Sequence, residues 1–188
     1  MGGTFDPVHH GHLAAASEAG HGLGLDEIVF VPTGQPWQKS GRRLADAEDR
    51  YAMTVIATAS NPRFSVSRVE IDRPGETYTI DTVRALRVLY GPDTDIFFSV
   101  GADALSRLDT WREPEELLRL VRFAGLTRGE HQLAGNALGA SQFVLIPMPA
   151  LEISSSVIRE RVRAGMPISY LVPDGVVQYI AKRGLYRD

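Results

Sequence analysis

Gly2-Gly3-Thr4-Phe5-Asp6-Pro7-Val8-His9-His10-Gly11-His12 opens the chain, and the reading of every later segment depends on it. Two adjacent glycines let the backbone turn sharply and approach a ligand with no Cβ in the way. Asp6-Pro7 reads as a turn. Three imidazoles, His9, His10 and His12, then stand at the mouth of an apolar, alanine-rich stretch, Leu13 to Ala19, which reads as the first turns of a helix. Backbone N–H groups at a helix start attract anions. Imidazoles beside them can donate further hydrogen bonds to phosphate oxygens.

Outward from this segment, strands and helices alternate. Glu27 to Pro32 and Asp95 to Val100 are short apolar runs of the buried parallel-strand type, the second ending at Gly101-Ala102-Asp103. Phe64 to Ile71 alternates as a strand, and Phe123 to Thr127 and Phe143 to Pro147 add two more. Asp46 to Ser60 has helical periodicity, with Ala47, Tyr51, Val55 and Ala59 predicted on the inner face. Thr79 is the expected cap of a helix with Ile80, Val83, Leu86 and Tyr90 inward. Helices are also predicted over 114–121, with proline in its first turn, over 154–164, and from Pro173 to about Lys182. The alternation predicts an α/β fold: a single domain over 1–188 with a doubly wound, Rossmann-like parallel sheet. Gly129 to Gly139 is the expected exposed loop, and no internal repeat, linker or low-complexity tract interrupts the pattern.

Composition narrows the function classes. With 188 residues, 44% of them hydrophobic, the chain can build a core without staples, and with no cysteine it has neither disulfides nor thiolate metal sites. No run approaches the ~18 apolar residues of a membrane span, and no signal peptide precedes the motif, so the cytoplasm is the expected compartment. A net charge of −3 offers no basic footprint for nucleic acid, so any phosphate must be captured by a local site. There is no G-x-x-x-x-G-K-[ST]. Gly20-His21-Gly22-Leu23-Gly24 has the wrong spacing for a dinucleotide turn and follows a helix, so it reads as a helix-ending cluster.

A second phosphate cradle is written in Ile153-Ser154-Ser155-Ser156-Val157-Ile158-Arg159. Serines at a helix start present hydroxyls beside free backbone N–H groups, and Arg159 returns to that end from one turn on. The plain alternative is a serine N-cap with a solvated arginine.

The opening segment resembles the GGTFDPxHxGH signature of the nucleotidyltransferases with an HxGH motif, specifically the nicotinate-mononucleotide adenylyltransferase family. His9 and His12 are then the motif histidines and His10 the variable position. The serine–arginine segment is similar to the family's ISSTxIR motif, with Ser156 where threonine is usual. The resemblance implies ATP binding by Gly2, Gly3, Thr4, Phe5, His9, His12, Gly101, Asp103, Ile153, Ser154, Ser155 and Arg159. It implies catalytic roles for His9, His12 and Lys39, the last from a mobile loop over Pro32 to Lys39 in which Gln38 stands where histidine is common.

On the mononucleotide side the resemblance points to Asp6, Lys39, Tyr78, Thr79, Trp111 and Arg128. The segment 76–82 looks like the family's TYT-x-D-T stretch, where backbone N–H groups near Thr79 receive the pyridine carboxylate. Trp111 resembles the tryptophan that stacks on the nicotinate ring; a buried core tryptophan is the usual alternative, but the polar flanks of Thr110-Trp111-Arg112-Glu113 place it near the surface. Gly129 follows Arg128 where the family often has proline. Arg50 matches an arginine downstream of the loop lysine, and a helix-surface arginine is the alternative. The implied reaction joins ATP and nicotinate mononucleotide, giving nicotinate adenine dinucleotide and pyrophosphate. Mg²⁺ is expected to be held mainly by ATP phosphates, with no protein-built metal cage, no nucleic-acid or membrane partner, and homo-oligomerisation left open. Alternatives are phosphopantetheine adenylyltransferase, a nucleotide-binding module without catalysis, and a histidine metal site.

One departure concerns the sheet. In the family the glycine pair follows directly on a first strand, and only Met1 precedes it here. That strand is expected between the strands at 27–32 and 95–100 in a 3-2-1-4-5 order. Its truncation would leave two inner edges unpaired and a slot in the core. The expectation is that Met1 is an internal methionine near that strand's end, or that residues ahead of it supply the pairing.

Overall fold

Six parallel strands and six helices make up the described part of the chain, which in the computed structural model comprises residues 1–35, 44–101, 108–128 and 143–187. Strands β1 (Gly2–Gly3), β2 (Ile28–Pro32) and β3 (Phe64–Val66) form one hydrogen-bonded sheet with β2 central. Strands β4 (Phe97–Gly101), β5 (Arg122–Arg128) and β6 (Phe143–Met148) form a second with β5 central. Register runs Gly2 opposite Val31, Val29 opposite Ser65, Ser99 opposite Ala124 and Gly125 opposite Leu145. The Phe98 ring lies 3.3 Å from where a Cβ on Gly2 would stand, so β1 sits beside β4. The spatial order is therefore β3-β2-β1-β4-β5-β6, a doubly wound α/β arrangement.

Helix α1 (His10–Gly22) bridges the two sheets because its residues are small. A Cβ on Gly20 would come 2.6 Å from Ile28 in β2, and one on Gly22 would come 3.3 Å from Ile146 in β6. The helix ends as its glycine cluster predicts, with Leu23 as C-cap and Gly24 at φ +62. Helices α2 (Ala47–Thr58) and α6 (Asp174–Arg183) pack together, as do α3 (Thr79–Tyr90) and α4 (Pro114–Leu120). Helix α5 (Ser155–Arg163) returns to the opening turn. One core cluster, around Phe5, Phe30, Met53 and Val176, lies under the first sheet, and another, around Ile80, Val83, Leu117 and Phe123, under the second.

Between the clusters runs a cavity of about 570 Å³, lined by Met1, Gly2, Val29, Phe97 and Phe98 among others. The Met1 backbone nitrogen lies beside it and donates to the Val29 carbonyl at 2.8 Å. Glu70, 6% exposed on the same cavity, accepts from the Thr82 hydroxyl at 2.7 Å. Burial raises its pKa to about 7, against the pull of that hydrogen bond and of Arg73.

Three expectations from sequence are corrected. The inner face of α2 is not Ala47, Tyr51, Val55 and Ala59; Asp49, Arg50, Met53, Thr54, Ala57 and Thr58 are buried instead, and Val55 is 40% exposed. Polar groups take that face because each finds partners there: Thr54 and Thr58 donate back to the Arg50 and Thr54 carbonyls, and Asp49 accepts from Tyr179 and Arg183. Strand β3 stops at Val66, not Ile71. One further ladder bond, Ser67 N–H to the Phe30 carbonyl, is made before Arg68 and Asp72 close a turn. Tyr78, not Thr79, is the N-cap of α3, with Thr79 its first helical residue.

The buried Glu70 gives a pH test. Its raised folded pKa means that the ionised form is disfavoured in the native state, a cost absent below about pH 4.5 and complete above about pH 7. Glu70→Gln, which can still accept from Thr82, is expected to melt higher than wild type at pH 8, by at most about 3 kcal/mol of stability. Near pH 4.5 the two proteins should melt alike. Equal melting at both pH values would contradict a buried, destabilised carboxylate.

Candidate active site

The site is built where β1, α1 and α5 meet at the carboxyl edge of the sheet, the edge on which open α/β folds bind ligands. After Gly3 the chain turns through Phe5, at φ +50, whose buried ring would stand 2.8 Å from a Cβ on Gly3. The second glycine is thus required by its own neighbour. The Phe5 ring meets His12 edge-on at 5.0 Å between centroids and leans on Phe30 at 5.7 Å. Asp6-Pro7 is a cis peptide, and the chain then enters α1 with His9 as N-cap.

His9 and His12 stack face to face, their centroids 3.7 Å apart and their planes at 25°. The His9 backbone N–H donates to His12 Nδ1 at 3.2 Å. An imidazole that accepts at Nδ1 carries its proton on Nε2, so the neutral His12 ring is fixed as a donor at its far nitrogen. Gly11 is required beneath this pair: a Cβ there would lie 3.0 Å from His9 Nδ1 and 3.7 Å from the Ile153 carbonyl. That contact also brings the HxGH segment against the serine segment.

Ser154 caps α5, its hydroxyl accepting from the Val157 N–H at 3.2 Å. Ser155 Oγ donates to the Pro7 carbonyl at 2.9 Å, and Arg159 donates from Nη1 to the Asp6 carbonyl at 2.7 Å and from Nη2 to Ser156 Oγ at 3.2 Å. The two motifs, about 150 positions apart in sequence, are therefore one structure. Helices α1 and α5 have no acidic residue in their first turns, whereas α2, α3, α4 and α6 all do. Among the described helices, only the two whose starts face the cradle begin without an acid, the electrostatics an incoming polyanion needs.

The segment with Tyr78 and Thr79 is brought to the one with Trp111. The Arg112 guanidinium stacks over the Tyr78 ring at 4.9 Å, and Arg84 on α3 binds Glu113 and Glu116 at 2.6 and 2.7 Å. Trp111 is half-buried, edge-on to Phe98 at 5.9 Å and to Phe123 at 6.4 Å, so one part of the indole is core and the rest faces outward. Gly101 ends β4 exposed, and Arg128 ends β5 opposite Met148. Lys39, Asp103 and the loop from Gly129 to Gly139 lie outside the described residues.

Asp6 and Arg50 hold unexpected positions. Asp6 is 2% exposed; its Oδ1 accepts from the Ala45 N–H at 3.2 Å and the Tyr186 hydroxyl at 2.7 Å, and its Oδ2 lies 3.7 Å from Arg159. Arg50 is neither on the surface nor aimed at a ligand. At 1% exposure it donates to four backbone carbonyls: Nε to Ala45, Nη1 to Thr4 and Thr33, and Nη2 to Gly34, at 2.6–3.0 Å. Burial lowers its pKa, with Asp6 and Glu70 pulling the other way. Gly11, Arg50 and Tyr186 were not among the residues assigned to the site from sequence. Gly11 lay inside the quoted motif and could have been found there; Tyr186 had no local signal.

Over residues 1–161 the chain matches the cytidylyltransferase-like family. It is 60% identical over 187 residues to a protein of Streptomyces coelicolor, covering 100% of this chain and 99% of that one, and 59% identical to one of Saccharopolyspora erythraea, covering 100% and 88%. Both bear the name "probable nicotinate-nucleotide adenylyltransferase". The chain belongs to this family. Its fold is that of the Plasmodium falciparum nicotinic acid mononucleotide adenylyltransferase solved with NaAD, at a TM-score of 0.78 and 22% identity, over 98% of this chain and 94% of that one.

Arg50 supplies the test of the frame. Arg50→Met keeps the stem and leaves buried carbonyls without a donor, so a loss of about 4 kcal/mol is expected, near 10 °C in Tm. A melting temperature within 2 °C of wild type would show that the four bonds do not hold the turn.

Proposed function

We propose that the chain is a nicotinate-nucleotide adenylyltransferase, joining ATP to nicotinate mononucleotide and releasing pyrophosphate. The observation that carries this reading is the convergence of the two acid-free helix starts on a cradle lined by His12, Ser155 and Arg159. The names of relatives at about 60% identity favour it over a phosphopantetheine-accepting enzyme.

The 5′-phosphate oxygen of the mononucleotide attacks the α-phosphorus of ATP, the bond to the β-phosphate bridging oxygen breaks, and pyrophosphate carries away that electron pair. No protein nucleophile is required, so catalysis is alignment plus stabilisation of charge on the phosphoryl oxygens. His12 Nε2–H and His9 are the donors to the α/β-phosphates. Ser154, Ser155, Arg159 and the α5 start hold the triphosphate, with Ile153 beside them and Lys39 assigned as a further cation for it. Gly2, Gly3, Thr4 and Phe5 shape the floor beneath the nucleotide, Gly101 borders it at the end of β4, and Asp103 is assigned to the ribose hydroxyls. On the other side the α3 start at Thr79 takes the pyridine carboxylate, Trp111 stacks on the ring, Tyr78 flanks it and Arg128 serves the phosphate. Asp6 acts from below, through the groups bonded to it.

The donors of the cradle are N–H groups and a guanidinium, which suit anions; Mg²⁺ takes hard oxygen ligands and keeps several waters. We propose that it arrives on the triphosphate and is held there by phosphate oxygens and water, where it neutralises charge. No helix among the described residues is long and apolar enough to cross a membrane.

Substitutions separate the two halves of the site. His12→Ala is expected to lower kcat about 10²-fold or more, for loss of a donor aimed at developing charge, with little change in mononucleotide KM. Trp111→Ala should raise the mononucleotide KM roughly ten-fold, a stack being worth ~1–3 kcal/mol, with the ATP KM nearly unchanged. Pyrophosphate release, measured with nicotinate mononucleotide, nicotinamide mononucleotide and phosphopantetheine as acceptors, reads both. Turnover with phosphopantetheine alone would replace the proposed reaction.

A further inference from the structure

Residues 174–187 lie beyond the segment that the family model matches, yet they are bonded to the heart of the site. Helix α6 is locked to α2 by Tyr179 and Arg183, which donate to buried Asp49 at 2.8 and 2.9 Å. The chain then leaves the helix through Gly184 at φ +63, and Tyr186 follows at φ +63, a region that aromatic residues rarely enter. That backbone conformation is the one in which the Tyr186 hydroxyl reaches Asp6 Oδ1 at 2.7 Å, across 180 positions of sequence.

We propose that Tyr186 is a positioning residue for the phosphate cradle: its phenol holds the buried Asp6 carboxylate, and Asp6 seats Arg159 and the start of α5. The inference rests on the reading of that cradle as the ATP site. Each link is a contact in the structure. Asp6 accepts Arg159 on its carbonyl at 2.7 Å and has Oδ2 3.7 Å from the same guanidinium, while the next carbonyl, Pro7, takes the Ser155 hydroxyl. The same Oδ1 receives the Ala45 N–H, so the phenol also steadies the residues that lead into α2. Burial beside the Asp6 charge pushes the phenol well above the usual tyrosine range, which keeps it a donor at every working pH.

Tyr186→Phe keeps the ring and removes only the donor. It is expected to raise both the ATP KM and the ATP Kd, read by calorimetry, about five-fold, with the nicotinate mononucleotide KM within two-fold of wild type. Tyr179→Phe is the control: it removes an equivalent phenol bond to a buried carboxylate that does not touch the cradle. It should cost similar thermal stability and leave ATP binding unchanged. An ATP Kd unaltered in Tyr186→Phe, or raised equally in Tyr179→Phe, would overturn the inference. The calorimetric Kd reads it even if the wild-type protein turns over a different acceptor, an outcome that would count against the proposed reaction alone. Wild-type protein that binds no ATP would overturn both.

Discussion

One buried guanidinium holds the site together. Arg50 carries its charge into the core and satisfies it on the carbonyls of Thr4, Thr33, Gly34 and Ala45, contributed by three separate stretches of chain. The four carbonyls supply every hydrogen bond of the guanidinium among the described residues, with the charges of Asp6 and Glu70 adding to them, so those three stretches must meet there or the donors are stranded. Thr4 belongs to the glycine turn, and Thr33 and Gly34 to the end of β2. Ala45 leads into α2. The clamp also leaves Gly34 no room: a Cβ there would come 2.2 Å from the Glu70 carbonyl. The phosphate turn is therefore fixed from beneath by a residue that does not face it.

Above that clamp the electrostatics are arranged by omission as much as by placement. A helix start is worth roughly 0.3–1 kcal/mol to an anion near it, and an acidic residue in the first turn weakens that attraction, most of all for a polyanion. Four helices accept acids there, and the two that face the cradle do not. His12, tethered at Nδ1 by the His9 backbone, adds a donor whose tautomer is set before any ligand arrives. Under the proposed reading, a chain with net charge −3 meets a polyanion through a few donors that converge in one place.

Most of the fold was legible because strand and helix alternate with clear punctuation, and the cradle was legible because its two motifs are contiguous. The misreadings share one cause. Periodicity assigns apolar residues to the inner face, so α2 was rotated: Asp49 and Arg50 lie inside, satisfied by partners from α6 and from distant carbonyls. Nor does anything in Thr4-Phe5-Asp6-Pro7 say that a tyrosine 180 positions away donates to the Asp6 carboxylate. Strand β3 was read too long because alternation continues past the point where Arg68 and Asp72 bond to each other. Polar side chains that find buried partners far along the chain leave no local mark.

Those distant partners also explain how the cradle can be ordered without a ligand. Arg159 would lose up to about 2 kcal/mol of side-chain entropy on being fixed at a phosphate. Here it is already fixed, through bonds to the Asp6 carbonyl and Ser156 that engage two of its five N–H groups. Ser155 is held likewise on the Pro7 carbonyl. A phosphate arriving there would meet an arginine already ordered on folding, whose remaining N–H groups can turn to an anionic oxygen, a hydrogen bond roughly twice as strong as one to a neutral acceptor. Side chains free in solution would spend part of that gain on their own immobilisation. The buried Asp6–Pro7 turn, by holding these donors on its carbonyls, shifts that cost from binding to folding.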